Sequence, residues 1–257
     1  MDGQTANPGS PAALTTLELT GKARTHVRMV ARFGCALHPQ AADALQALRA
    51  AAATAGIDLQ PVSGFRDFWR QLAIWNDKYS GTRALLDARS LPLDVAALDP
   101  EARVAAILNW SALPGGSRHH WGSDCDVIDR NALEPGARVE LLSADYEPGG
   151  RYGRLADWLA VHAEGYGFFR PYDRERGGVR PEPWHLSFAP VAGPALEALS
   201  LAVLEEALAG AELGGREIVF ARLPELHARY VASVAEPSAA ALAAAALGSP
   251  SRGAMPA

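Results

Sequence analysis

The sequence predicts an α+β fold: a small, mainly antiparallel sheet flanked by helices, with a helical appendage at the C-terminus. Three observations predict it. Apolar-striped stretches with recognisable helix starts and stops alternate with apolar runs of strand length. The last of those runs, Trp184 to Phe188, follows Pro181 and Pro183, which excludes helix interior there. Beyond Pro190 the chain becomes rich in alanine and leucine, the composition of packed helices.

Residues 1–16 are polar, with Gly, Pro, Ser and Thr, and read as a flexible leader. Pro39 to Ala55 is a helix with Ala42, Leu45, Leu48 and Ala52 on one stripe and Gly56 as its stop. Ile57 to Val62 reads as a short strand delivering Ser63-Gly64-Phe65-Arg66 at its end. Asp67 can cap a helix running to about Tyr79, with Phe68, Leu72 and Trp75 on its core face and Gly81 beyond it. Residues 82–98 lack periodicity and read as a surface loop, placed over a cleft in one arrangement. Asp99-Pro100-Glu101 starts a helix to about Trp110, stopped by Pro114-Gly115-Gly116.

Asp124 to Ile128 reads as a strand on which Asp124, Asp126 and Ile128 share one face and Cys125 and Val127 the other. Arg151 to Glu164 is an amphipathic helix, Phe168-Phe169 a short strand, and residues 173–179 a charged turn. Trp184 to Phe188 is expected as an edge or terminal strand. Residues 193–210 read as one Ala/Leu helix, 214–234 as a mixed segment and 236–257 as an alanine-rich tail. The division is a leader at 1–16, one catalytic domain at 17–190 and, at 191–257, a helical appendage with a disordered tail.

With 257 residues, 49% hydrophobic and 21% charged, the composition is that of a globular protein. A net charge of −5 argues against non-specific nucleic-acid binding. No run approaches the roughly 18–20 apolar residues of a membrane span. The first residues, Met1-Asp2-Gly3-Gln4, lack a basic and then apolar secretory pattern, which reads as cytoplasmic. Cys35 and Cys125 read as two buried thiols in preference to a disulfide.

The chemistry gathers in Ser117-Arg118-His119-His120-Trp121-Gly122-Ser123-Asp124-Cys125-Asp126 and in Glu182-Pro183-Trp184-His185. These runs offer histidines and a carboxylate as a divalent-metal ligand set. Zinc at a hydrolytic centre takes three such ligands and keeps one position for water. A carboxylate outside the ligand set, such as Glu182, can take the proton from that water. Arg66 either pairs structurally with an acid such as Asp67 or serves as an electrophile for an oxyanion or a substrate carboxylate.

Ser117-x-His119-x-x-Gly122-x-x-x-Asp126, followed by Glu182-x-Trp184-His185, resembles the signature of the zinc D-alanyl-D-alanine carboxypeptidases and dipeptidases. That family includes the vancomycin-resistance carboxypeptidases and sits in the lysostaphin/D-Ala-D-Ala metallopeptidase superfamily. Ser63-Gly64-Phe65-Arg66, with Gln71 five residues on, is similar to a third family motif, and the likeness covers roughly residues 18–190. Asp124 departs from the small residue that the family often has there.

The resemblance implies one Zn2+ per chain held by His119, Asp126 and His185, in a cleft on one sheet face; its register favours His119 over His120. It implies Glu182 as general base and Arg66 as oxyanion stabiliser. Ser117 and Gln71 would grip a peptide end or serve as turn and capping residues, and Trp184 would pack and wall the pocket. Apart from the resemblance, Asp124 reads as a solvated acid or as a group that orients a histidine through the ring nitrogen not bound to metal, while His26, His38, His162 and His227 are expected to be structural or solvated. The implied reaction releases terminal D-alanine from a peptidoglycan-type stem peptide or muropeptide, which places the protein at the cell envelope. An endopeptidase or L,D-carboxypeptidase with the same site, and a non-catalytic zinc-stabilised wall-binding module, are the alternatives.

Overall fold

The computed structural model describes residues 13–134 and 136–244. Most of the expected leader, and residues 245–257 of the expected tail, lie outside the described residues. Within the leader span Thr15 already caps a helix, α1 (Thr16–Leu19), in a capping box with Glu18. A hairpin that the sequence reading missed follows. Its strands β1 (Arg28–Val30) and β2 (Cys35–Leu37) are antiparallel, and Gly34 before β2 stands at φ 65°.

Helix α2 (Pro39–Thr54) buries the expected stripe of Ala42, Leu45, Leu48 and Ala52. Strand β3 (Leu59–Ser63) comes next, and then α3 (Phe68–Ser80). Asp67 accepts from the Arg70 N–H at the start of α3, and Gly81 ends it in the left-handed conformation. Residues 82–98 hold a short turn of 3₁₀ helix and an isolated antiparallel bridge between Leu86 and Pro92, and Arg83, Leu86 and Ser90 border the cleft. Helix α4 (Pro100–Leu108) is capped by Asp99 as expected.

Strand β4 (Asp124–Asp129), helix α5 (Gly153–His162) and strands β5 (Phe168–Phe169) and β6 (His185–Phe188) complete the central part. The sheet runs β3-β4-β6-β5, antiparallel throughout. The α+β class expected from the sequence is therefore the one adopted. Strand β6 is not an edge: the two residues of β5 pair with its far side, and β3 and β5 form the edges.

The expected helix at 193–210 is two helices, α6 (Ala189–Ala198) and α7 (Leu201–Ala209). The break falls at Leu199, and Ser200 accepts from the Val203 N–H to start the second. Helices α8 (Arg216–Ala221), α9 (Leu223–His227) and α10 (Ala239–Ala244) follow.

Two apolar clusters hold these layers. One sets Leu45, Leu48 and Leu155 against Cys125, Val127 and Leu186 of the sheet. The other joins Trp75, Ile107 and Trp121 to Leu204, Leu208 and Leu223, so the C-terminal helices share a core with α3 and α4. With Cys125 and Val127 facing the first cluster, the alternation of β4 turns Asp124 and Asp126 to the opposite face.

Candidate metal centre

The centre is built on neighbouring strands. A register shift between Pro61 and Ser63 sets Ser63 opposite Asp126, and on the other side Asp126 pairs with His185. A short 3₁₀ turn, Arg118–Trp121, carries His119 to the same place and ends at Gly122 with φ 66°. A side chain at Gly122 would run into Val27 and into the His38 N–H at 2.8 Å, so the turn requires glycine.

Ligand atoms of His119, Asp126 and His185 all lie within 4.8 Å of one another, and the three residues are buried. Each histidine has one nitrogen occupied. His119 Nδ1 donates to the Gly64 carbonyl at 2.9 Å, leaving Nε2 3.5 Å from Asp126. His185 Nε2 donates to Asp124 at 2.9 Å, leaving Nδ1 3.3 Å from Asp126 and 3.2 Å from Glu182. These outer contacts fix the ring orientations. Asp126 Oδ1 and His185 Nδ1 are buried without a hydrogen-bond partner of acceptable geometry. Buried polar atoms are rarely left so. Two imidazole nitrogens and one carboxylate oxygen converging with orphaned atoms fit a divalent cation of the zinc type.

Burial, chiefly, pushes His119 down to about 4, so the ring is neutral at ordinary pH, as a ligand must be. His185 goes the other way. Burial opposes its charge, but Asp124, Asp126 and Glu182 together hold its pKa well above the ordinary value. Glu182 is raised by burial and by Asp126, with His185 and Arg66 working against the rise.

Arg66 does not pair with Asp67, which caps α3. It donates to Gln71 Oε1 at 2.8 Å and to the Ser63 hydroxyl at 3.2 Å, and it lines the cleft. Gln71 does not reach the cleft. It is fully buried, and its amide nitrogen donates to the Ala112 carbonyl at 2.7 Å, so it positions Arg66 and is not placed to grip a peptide. Ser117 and Trp184 line the cleft, Trp184 with its ring against Trp110. His120 turns away, accepting from the Gly115 N–H and donating to the Arg66 carbonyl. His26, His38, His162 and His227 are outside the ligand group.

Asp124 does more than meet His185. Buried Arg118 donates to it at 2.9 Å and to Ser187 at 2.6 Å, an ion pair behind the ligand face. The sequence reading missed Arg118, Tyr172, whose ring meets His185 edge-on, and Lys78. Lys78 carried a signal: it lies seven residues after Gln71, on the same helix face.

Two uncharacterized proteins of Haemophilus influenzae align with the chain. One is 45% identical over 103 residues, 39% of this chain and 70% of its own. The other is 30% identical over 121 residues, 46% of this chain and 92% of its own. A vancomycin resistance D,D-pentapeptidase VanY variant in complex with Zn(II) is 23% identical with a TM-score of 0.46, over 72% of this chain and 90% of that one. The LdcB LD-carboxypeptidase is 23% identical with a TM-score of 0.45, over 80% and 82%. Residues 34–191 match the family described as VanY, D-alanyl-D-alanine carboxypeptidase, and the chain belongs to that peptidase family.

Proposed function

We propose that the chain is a zinc-dependent carboxypeptidase that removes the terminal D-alanine from peptidoglycan-type stem peptides. The observation that carries the reading is Glu182, a half-buried carboxylate 3.2 Å from the free nitrogen of His185 and outside the ligand set. A module that only bound wall would have no use for an acid there. His119, Asp126 and His185 would hold one zinc, which would supply Lewis acidity and make water easier to deprotonate.

The chain's own residues do the rest. Glu182 takes the proton from the attacking water and returns it to the leaving amine; its raised pKa suits a group that must both take and give. Arg66, braced by Gln71 and Ser63, donates to the oxygen on which negative charge develops. Ser117 offers its hydroxyl to the peptide, and Trp184 walls the site and keeps water out.

The test is mass spectrometry of muropeptides, including a pentapeptide stem, incubated with zinc-loaded protein. Loss of one terminal D-alanine from the pentapeptide is the expected product. Cleavage only of the tetrapeptide stem would make it an L,D-carboxypeptidase, cleavage only of cross-links an endopeptidase, and either result refutes the reading.

A further inference from the structure

Lys78 is a buried cation that the mechanism above leaves unused. It is 8% exposed, borders the same cleft as His119 and Glu182, and donates from Nζ to the Ser111 hydroxyl at 2.7 Å. Among the described residues no carboxylate lies within 4.0 Å of it, nor of Arg66 or Arg83, two further cations of the cleft. Burying an ammonium with only a neutral partner is costly, and natural sites supply the missing charge.

A charge balance shows where it is missing. Arg118 is matched by Asp124. A divalent cation on the ligand group would be matched by Asp126 and Glu182. Arg66 faces the developing oxyanion and Arg83 is exposed at the mouth. Lys78 remains, inside the cleft, without an ion-pair partner and with only the more distant Glu182, already committed to the metal side, attracting it. Burial first, and then the neighbouring Arg83, push its pKa down to about 8, so it is charged at neutral pH.

We propose that the Lys78 ammonium, oriented by Ser111, receives the free C-terminal carboxylate of the peptide and thereby confines cleavage to the last peptide bond. This rests on the peptidase reading, and it makes Lys78 the residue that separates exo- from endo-cleavage. An internal peptide bond offers an amide where this site wants an anion, and it leaves the ammonium buried and unpaired.

Binding can be measured without turnover. The zinc-loaded Glu182→Gln protein is titrated calorimetrically with an N-acetylated peptide ending in D-Ala-D-Ala, as the free acid and as its C-terminal amide. The acid is expected to bind more tightly. Adding Lys78→Met should weaken acid binding about 10–100-fold, the range for a lost hydrogen bond to a charged group, and leave amide binding unchanged. Lys78→Arg should keep most of the preference. Ser111→Ala should shrink it, which keeps the test open should Lys78→Met fail to give a native near-ultraviolet spectrum. An acid preference that survives Lys78→Met, or no preference in the Glu182→Gln protein, binding of neither peptide included, overturns the inference. A Lys78-dependent preference without any cleavage of the pentapeptide stem would sink the proposed activity and leave only the carboxylate-binding role of Lys78 standing.

Discussion

Asp124→Asn tests how the centre is held from behind. The wild-type carboxylate is wholly buried and accepts from Arg118 at 2.9 Å, His185 at 2.9 Å and Ser187 at 3.1 Å, with Ser123 as a further donor. Asparagine keeps the shape, removes the charge and turns one acceptor into a donor. Arg118, only 3% exposed, is then a buried guanidinium without its counter-charge. Breaking one side of such a pair costs about 3–5 kcal/mol, a large share of a typical domain's stability. His185 also loses the anion that keeps the proton on Nε2, which should lower zinc affinity about 10–100-fold. Urea unfolding of metal-free protein reads the first effect, and competition with a chelator reads the second. The double replacement Arg118→Met with Asp124→Leu should recover most of the stability, since both charges leave together, yet none of the zinc affinity. If the double variant binds zinc like wild type, the anion behind His185 has no part in holding the metal.

Three further outcomes follow from the same geometry. Glu182→Gln should keep zinc by elemental analysis and lose about 10²–10⁴-fold in turnover; loss of the metal would make Glu182 a ligand. Arg66→Lys keeps a charge but not the fork that Gln71 and Ser63 brace, so kcat should fall toward the about 10²–10³-fold loss of a missing oxyanion donor, with zinc retained. A rise in KM alone would assign Arg66 to substrate binding instead. The third concerns pH. His185 has a folded-state pKa above its unfolded value, so in metal-free protein its contribution to stability is full below about 6.5 and is lost as pH rises through the folded value. Zinc needs Nδ1 unprotonated, so its affinity should climb over that same window with proton release. Calorimetric scans should show the zinc-induced rise in Tm growing upward from pH 6.5, and a rise that is flat with pH would contradict the assignment.

Helices were readable where polar caps and glycine stops stand at both ends, as at Asp67 and Gly81 or Asp99. The ligand group was readable because His119 and Asp126 lie within one short run and His185 follows Glu182 closely. What failed depended mostly on partners distant in the chain, and once on a local cap that was passed over. That β6 is interior rests on Phe168-Phe169, too short a run to claim a place beside it. The single helix expected at 193–210 ignored Ser200, whose hydroxyl caps as well as Asp67 does. Gln71 was left between a peptide end and a cap because the Ala112 carbonyl that fixes its amide lies 41 residues away and meets it only in the fold. Lys78 was overlooked for the same reason, since Ser111 reaches it from beyond α4.

The row Ser63, Asp126, His185 across three strands has a consequence for the order of folding. Its members come from segments far apart in the chain; His185 and its partner Asp124 are 61 residues apart. Closing such loops precedes any reward from the contacts, so pairing of β4 with β6 belongs to the slow part of folding. The unfolded chain has no ready site, and a cation can be gripped only once the sheet has closed. Zinc should therefore act as a latch on the finished molecule, slowing its unfolding far more than it hastens its folding.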